Sequence, residues 1–381
     1  MSEPLKDLAR EGQSLWLDNI HRGLLTGGGL KAFMDRGVVG ITSNPTIFEK
    51  AINGSSDYDG AIRDLVGANR DVATAYERLV LYDIGRAADL MRPVYEATQG
   101  VDGRVSVEVS PDLAHDTDGT IEEARRFWNM LGRPNIMIKV PATPEGIPAI
   151  RQLISEGVSV NVTLMFSLAH YDQVAEAYIA GIEDRLERGG AVDRIGSVAS
   201  FFVSRVDTAV DAILEEKIAQ ADGAERKAAL EALLGKAAIA NAQLAYDRFQ
   251  EVFHSPRFER LAREGARVQR PLWASTSTKN PRYRDVMYVE ALIGPDTVDT
   301  MPEATMTAFA DHGVVQRTLG KADEARRVFA ELAAQGVDMA AVTQKLQDDG
   351  VASFSRSFAT LLQGIEAKMA AVRGVAPAVR S

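Results

Sequence analysis

Residues 136–143 read IMIKVPAT and place Lys139 inside an otherwise apolar strand. Because strand side chains alternate between two faces, Met137 and Lys139 point to one face and Ile136, Ile138 and Val140 to the other. A buried ammonium must be paired or must lose its proton, and a neutral amine is a nucleophile towards carbonyls. The alternative is an ordinary lysine whose ammonium extends from the strand end into solvent.

Other segments repeat this mixture of aliphatic and polar residues. In Val158–Leu164, for example, Ser159, Asn161 and Thr163 share one face and four aliphatic residues share the other. Alternation alone would also suit a half-exposed antiparallel sheet. Long helical patterns separate the segments, among them Thr120–Leu131 and Leu168–Arg188, and these spacers favour parallel strands.

Eight strands that alternate with helices predict an α/β fold, a single (β/α)8 TIM barrel with additional helices. In such a barrel the reactive side chains lie at the carboxyl ends of the strands. The predicted strands are Ser14–Asp18, Val38–Thr42, Val105–Val109, Ile136–Val140, Val158–Thr163, Val198–Val203, Pro271–Ser275 and Val286–Ile293.

The whole chain, residues 1–381, is predicted to form one barrel domain with its strands at about 14–293. Two spacers are too long for one helix, and we interpret them as helical insertions at about 54–103 and 205–267. C-terminal helices are predicted at about 322–372, followed by a frayed tail at Gly374–Ser381. The helices expected in these regions are at least two around Arg70–Gln99, then Ala209–Ala221, Ala224–Phe253, Ala322–Gln335, Met339–Asp349 and Val351–Val372.

The composition excludes several kinds of chemistry. The net charge of -10 disfavours a general nucleic-acid surface. The chain has no cysteine, so thiol nucleophiles and thiolate metal sites are excluded, and a reducing cytoplasm is the expected location. No signal peptide or membrane span is visible, the five histidines lack metal-ligand spacing, and no phosphate-loop or dinucleotide fingerprint is present. By elimination, the chemistry belongs to lysine, carboxylates and hydroxyls. The sequence does not indicate an oligomeric state.

These groups suit chemistry at a ketone. A neutral Lys139 can form an imine that accepts electrons when a neighbouring carbon–carbon bond breaks. Glu108 and Thr163 lie on strands next to that of Lys139 and suit a proton shuttle through water. Asp18, at the end of the first strand, is the candidate base for the hydroxyl whose bond breaks. Asn44 and Asn161 can bind sugar hydroxyls.

A second signal follows the seventh strand, where residues 273–281 read WASTSTKNP and Arg282 and Arg284 come soon after. Hydroxyls, backbone amides and cations beyond strands seven and eight commonly form the phosphate pocket of such barrels. Arg205, beyond the sixth strand, would face the same mouth. A solvated Ser/Thr turn is the alternative for this loop taken alone.

Six motifs together resemble the transaldolase family, in its longer bacterial form. Their order and spacing match over Ser14 to Asp299. The motifs are GITSNPTIF around Asn44, VSVEVSPDL around Glu108, NIMIKVPAT around Lys139, NVTLMFSLAHY around Asn161, ASFFVSRVD around Ser200 and WASTSTKNP around Ser275.

The resemblance implies transfer of a dihydroxyacetone unit from sedoheptulose 7-phosphate to glyceraldehyde 3-phosphate, in the non-oxidative pentose phosphate pathway, without metal or organic cofactor. It implies Lys139 as the imine-forming residue, Asp18 as the acid/base group, and Glu108 with Thr163 as the pair that holds water. Many relatives have an arginine shortly after the serine of the seventh-strand loop, where Lys279 is here the nearest cation. The implied substrate-binding residues are Asn44, Asn161, Ser200, Phe202, Arg205, Ser275 and Lys279.

Two alternatives remain at this level. A fructose-6-phosphate aldolase would use the same imine but release dihydroxyacetone by protonation, and the balance depends on water access and on the placement of Phe202 and Asp18. A catalytically silent barrel could bind sugar phosphates as a sensor, although every catalytic residue type is present.

Overall fold

Eight parallel strands close into a barrel in which neighbours in the sequence are neighbours in the sheet and the last strand pairs with the first. The structure, a computed structural model, describes residues 3–374, so the tail predicted beyond Gly374 lies outside the described residues. The predicted (β/α)8 barrel with additional helices is confirmed. The strands are β1 (Gln13–Leu17), β2 (Val38–Ile41), β3 (Arg104–Glu108), β4 (Ile136–Pro141), β5 (Val160–Met165), β6 (Ser197–Phe202), β7 (Arg270–Ala274) and β8 (Thr297–Met301).

Helices surround the barrel and lie between the strands. Two short 3-10 helices occupy Leu8–Glu11 and Pro111–Leu113. The α-helices are α1 (Pro4–Asp7), α2 (Arg22–Thr26), α3 (Gly29–Asp35), α4 (Pro45–Asn53), α5 (Asp59–Gly67), α6 (Val72–Ala97), α7 (Thr117–Leu131), α8 (Gly146–Glu156), α9 (Leu168–Glu187), α10 (Ser204–Gln220), α11 (Ala224–Glu231), α12 (Ala237–Phe253), α13 (Pro256–Arg263), α14 (Met287–Ala291), α15 (Glu303–His312), α16 (Ala322–Ala334) and α17 (Met339–Val372).

The eighth strand was predicted at Val286–Ile293, and this prediction is wrong. That segment contains the short helix α14, and its buried residues Val286 and Val289 follow helical spacing. The true strand β8 contains polar residues that find partners inside the barrel. Thr297, for example, accepts a hydrogen bond from Gln13 Nε2 at 3.0 Å.

The long spacers are helical, with boundaries that differ from the prediction. The region Arg70–Gln99 contains the single 26-residue helix α6, and the second helix of that insertion, α5, precedes it. Between β6 and β7 the chain forms four helices, because the segment predicted as Ala224–Phe253 is divided into α11 and α12.

The last helix, α17, is one continuous helix of 34 residues, not two helices separated at Gly350. Gly350 lies within it and packs closely against β5, since a Cβ there would come 2.9 Å from Leu164 Cδ2. Leu164 itself has a left-handed backbone (φ 57°) where the register of β5 shifts. The glycine therefore permits close packing and does not end the helix.

Hydrogen bonds hold α17 across the carboxyl ends of the strands. Gln347 Nε2 donates to the carbonyl of Ala142 at 2.8 Å and to that of Leu164 at 3.1 Å. Ser357 Oγ lies 2.9 Å from Thr46 Oγ1 on α4. The C-terminal helix thus covers part of the barrel mouth, where the candidate site residues lie.

Across residues 3–374, no helix combines the length and the apolar character that a membrane span requires.

Candidate active site

A cavity of about 620 Å³ opens at the carboxyl ends of the strands. Parallel barrels place their active sites at this end. Of the described residues, Glu108 and Asn161 are predicted site residues that do not line the cavity wall. The predicted site residues that do line it are Asp18, Asn44, Lys139, Thr163, Ser200, Phe202, Arg205, Ser275 and Lys279.

Lys139 is buried, with 5% of its surface exposed, and does not extend into bulk solvent. Strands β3 and β4 place Glu108 beside it in register. Lys139 Nζ lies 3.1 Å from Glu108 Oε2 and donates a hydrogen bond to the carbonyl of Ser43 at 2.9 Å. The ammonium is therefore paired at the cavity floor, as its burial requires.

Glu108 and Thr163 provide two buried oxygens close to this lysine. Burial raises the pKa of Glu108, while the positive charge of Lys139 opposes the shift. Thr163 Oγ1 is buried without a hydrogen-bond partner among the described residues, whereas the partner of the buried Glu108 Oε2 is Lys139. Buried polar atoms are normally satisfied, so the unpartnered Thr163 hydroxyl together with Glu108 suits a small polar group, such as water, that takes part in proton transfer.

Asp18 is held by hydroxyl groups that the sequence did not identify. Thr42 Oγ1 donates to Asp18 Oδ1 at 2.7 Å and lies 2.6 Å from Thr300 Oγ1. Burial raises the pKa of Asp18, whereas the Thr42 hydrogen bond and the charges of Lys139 and Arg205 act against this. A carboxyl group with a raised pKa exchanges protons more readily near neutral pH.

The two predicted asparagines have different surroundings. Asn44 caps α4, where its Oδ1 accepts from Ile47 N at 3.0 Å, and its amide NH2 remains at the cavity wall. Asn161 is fully buried: its Oδ1 accepts from Ser200 Oγ at 2.6 Å and its Nδ2 donates to Ser106 Oγ at 3.0 Å. In this structure Asn161 positions Ser200, which does line the cavity.

The cavity also carries three cations, and none of them forms an ion pair with a carboxylate of residues 3–374. The guanidinium of Arg205 lies 5.2 Å from the centre of the Phe202 ring and has no hydrogen bond to a described residue. Among the described residues, Lys279 Nζ donates only to Ser277 Oγ. The third cation, Lys50 on α4, was not predicted, because the sequence of α4 does not show which of its faces meets the barrel.

The pKa shift of Lys279 shows that these cations lie close enough to repel one another. Burial lowers the pKa of Lys279, and the charges of Arg205 and Lys50 lower it further, while Asp18 opposes them. Burial also lowers the pKa of Arg205. Cations that repel one another and form no ion pair with a described residue are suited to an anionic ligand.

Ser275 is placed by a strained backbone. Its φ of 58° is in the left-handed region, which costs a non-glycine residue about 1–3 kcal/mol and is common at functional sites. Its Oγ lies 3.0 Å from Ser204 Oγ, and its carbonyl accepts from Ser204 N at 3.1 Å. The conformation turns Ser275 into the cavity that contains Arg205.

A closed parallel barrel with a buried lysine–carboxylate pair at the carboxyl ends of its strands defines a (β/α)8-barrel enzyme. Comparison with known proteins specifies it further. The model of the family described as transaldolase/fructose-6-phosphate aldolase matches residues 15–365. The chain belongs to this family, and it is an enzyme that transfers aldehyde or ketone groups.

Relatives over nearly the full length support this assignment. A transaldolase of Parafrankia sp. is 49% identical over 372 residues, which cover 97% of this chain and 99% of the relative. A transaldolase of Thermobifida fusca is 49% identical over 374 residues, with 97% and 100% covered. A transaldolase of Trichodesmium erythraeum is 45% identical over 369 residues, with 96% and 97% covered. The resemblance predicted from the six motifs is confirmed.

Proposed function

We propose that this enzyme transfers a dihydroxyacetone unit from sedoheptulose 7-phosphate to glyceraldehyde 3-phosphate through an imine on Lys139. The products are erythrose 4-phosphate and fructose 6-phosphate, and the reaction belongs to the non-oxidative pentose phosphate pathway in the cytoplasm. The observation that carries the proposal is a buried lysine–carboxylate pair whose lysine lines the same cavity as three cations that form no ion pair within residues 3–374.

Imine formation uses Lys139 and Glu108. Glu108 accepts a proton from the ammonium, and the neutral amine attacks the ketone carbon to form a carbinolamine. Loss of the carbinolamine hydroxyl as water requires a proton. Glu108 returns this proton through a water molecule that it holds together with Thr163. The raised pKa of Glu108 favours this return, since a carboxyl group that keeps its proton to higher pH is more available as a proton donor near neutral pH.

Cleavage uses Asp18. It accepts the proton of the hydroxyl on carbon four, the bond between carbons three and four breaks, and its electron pair moves into the protonated imine to give an enamine. Erythrose 4-phosphate leaves as the aldehyde. The enamine then attacks the carbonyl carbon of glyceraldehyde 3-phosphate, Asp18 returns the proton to the new hydroxyl, and hydrolysis of the imine frees Lys139.

The cations bind the phosphate group, together with Ser275. A seven-carbon ketose phosphate has one more carbon between its carbonyl and its phosphate than a six-carbon one, so the two phosphates lie at different distances from Lys139. Arg205 offers a planar fork of donors, while Lys50 and Lys279 are flexible point charges that can follow the phosphate. This combination suits an enzyme that must accept both lengths.

Replacement of Arg205 by alanine should raise KM for sugar phosphates sharply. The expected loss is about 2–4 kcal/mol for a desolvated charge partner of the phosphate. Steady-state kinetics with fructose 6-phosphate and with unphosphorylated fructose as donors test this, and fructose should be affected far less.

The matched control is Arg10→Ala, which removes an exposed arginine of the 3-10 helix that precedes β1, at the end of the strand opposite to the cavity, and should leave both donors unchanged. Equal losses for the two donors in Arg205→Ala would mean that Arg205 is structural and does not bind phosphate.

Product analysis separates a transferase from an aldolase. With sedoheptulose 7-phosphate and glyceraldehyde 3-phosphate, we expect erythrose 4-phosphate and fructose 6-phosphate in equal amounts. With fructose 6-phosphate alone, free dihydroxyacetone should form far more slowly than transfer occurs. Release of dihydroxyacetone at a rate comparable with transfer would instead identify an aldolase.

A further inference from the structure

A second polar cavity lies at the other end of the barrel, next to the starts of β3, β6 and β7. Its volume is about 140 Å³. Three arginines line it: Arg104 and Arg270 at the first positions of β3 and β7, and Arg267 shortly before β7. We call it the basal arginine cavity. Lys139 on β4 and the substrate cavity lie at the opposite, carboxyl ends of the barrel strands.

The positive charges of this cavity exceed the carboxylates around them. Arg270 Nη2 forms an ion pair with Asp102 Oδ1 at 2.9 Å. Arg104 and Arg267 form no ion pair with any residue of the described part of the chain. Asp296, an exposed residue, is the one carboxylate among the residues that line the cavity. Three guanidiniums therefore face two carboxylates, Asp102 and Asp296, and Asp102 is already paired with Arg270.

Arg104 is almost completely buried, with 1% of its surface exposed. It donates to neutral acceptors only: the carbonyl of Gly100 at 3.0 Å, Ser159 Oγ at 3.1 Å and the carbonyl of Arg194 at 3.3 Å. A Cβ on Gly196 would lie 2.2 Å from Arg104 Cζ, so this glycine makes room for the guanidinium. Buried charges are normally paired with opposite charges.

Burial lowers the pKa of Arg104 to about 10, with Arg267 and Arg270 contributing by repulsion. At neutral pH the group nevertheless stays protonated. The positive charge therefore remains in the cavity wall and is not removed by deprotonation.

Arg267 supplies the second observation. Its Nη2 donates to the carbonyl of Gln99 at 2.6 Å, but its Nη1 is buried and has no hydrogen-bond partner among residues 3–374. Leaving a buried donor of a charged group unsatisfied is costly, at about 1–3 kcal/mol or more. Arg267 lines the cavity, so an anion bound there would compensate the charge of its guanidinium.

We propose that the basal arginine cavity binds a phosphate group, at a site separate from the substrate cavity. A cavity holds one water molecule when the volume open to the centre of a water-sized sphere is about 10–15 Å³. The corresponding volume here is 140 Å³, which admits a tetrahedral oxyanion. Guanidinium groups match phosphate oxygens through pairs of parallel hydrogen bonds. The basal site itself does not depend on the proposed transfer reaction, but its test uses the proposed phosphate-binding role of Arg205. A bound phosphate would offset the excess charge at the base of the barrel and stabilise the fold.

Calorimetric titration of the full-length Arg205→Ala enzyme with inorganic phosphate, at constant ionic strength, tests the proposal. The substitution weakens phosphate binding in the substrate cavity, so the remaining binding reports the basal site. We expect about one equivalent of phosphate to bind. Addition of Arg267→Gln, which removes the charge and the unpartnered donor, should weaken this binding at least tenfold. Absence of binding to Arg205→Ala, or equal binding to the double variant, would overturn the proposal.

A chemical measurement keeps the test decisive if the double variant fails to fold. Arg267 is partly exposed, so phenylglyoxal should modify it in the Arg205→Ala enzyme, and mass spectrometry can follow the peptide that contains it. Phosphate should protect Arg267 while leaving the exposed Arg10 reactive. Equal modification with and without phosphate would contradict the proposal. Protection by glycerol 3-phosphate would extend the ligands to phosphate esters, whereas protection by inorganic phosphate alone would identify the free ion.

Discussion

Borohydride reduction in the presence of fructose 6-phosphate should attach a three-carbon unit to Lys139. The ketose forms an imine on the buried amine, cleavage removes glyceraldehyde 3-phosphate, and hydride fixes the remaining dihydroxyacetone unit. Peptide mass mapping should locate the adduct on the peptide that contains Lys139. Lys139→Arg should abolish both trapping and turnover, because a guanidinium stays protonated and cannot act as the nucleophile.

Lys279→Arg is the matched control. Lys279 also lines the cavity and follows a barrel strand, and arginine keeps the positive charge at this position. The Lys279→Arg enzyme should still form the reduced adduct on Lys139. An adduct on Lys279 in the unmodified enzyme, or continued trapping in Lys139→Arg, would show that the imine forms elsewhere.

The second large effect separates Asp18 from Glu108. General acids and bases contribute about 10²–10⁴-fold to enzymatic rates, so both Asp18→Ala and Glu108→Ala should be slow, but at different steps. Glu108 is 3.1 Å from the amine, so its loss should slow imine formation. Asp18, held by Thr42, should be required only for cleavage. Its alanine variant should form an imine with intact fructose 6-phosphate and then stop.

Single-turnover trapping with mass analysis distinguishes these steps, because an uncleaved six-carbon adduct is heavier than a three-carbon one. Asp18→Ala should accumulate the six-carbon adduct, and Glu108→Ala should accumulate neither adduct at the normal rate. The opposite pattern, with Glu108→Ala trapped normally and Asp18→Ala not trapped, would reverse the proposed roles.

The strand–helix alternation predicted the barrel because seven of its strands are short segments rich in apolar residues between helical patterns. The eighth failed for a physical reason. Thr297–Met301 is a polar segment whose Thr297 and Thr300 are satisfied by Gln13 of β1 and by Thr42, which directly follows β2, and such partners cannot be seen in the sequence. The apolar Val286–Ile293 therefore seemed the better strand, although its apolar residues face the core from a helix.

In the candidate site, too, some residues could be recognised from the sequence and others only from the structure. Lys139 could be recognised because a charged residue within an apolar strand is a local contradiction that needs a partner. Thr42 and Thr300 acquire their importance only from contact with Asp18 and with each other, and Lys50 only from the side on which α4 packs. Asn161 was correctly placed inside the barrel, but only the packed structure shows it bonded to Ser200 and Ser106.

The position of α17 across the barrel mouth has a consequence for the timing of activity during protein synthesis. Asp18 follows the first strand, whereas Phe354 of the last helix lines the same cavity, and Gln347 of that helix binds the carbonyls of Ala142 and Leu164. At about 5–20 residues per second, tens of seconds separate the translation of these parts. A nascent chain therefore carries the lysine and its carboxylates long before it has a complete cavity, and the cell acquires a working enzyme only when the last helix has been made and has folded onto the barrel.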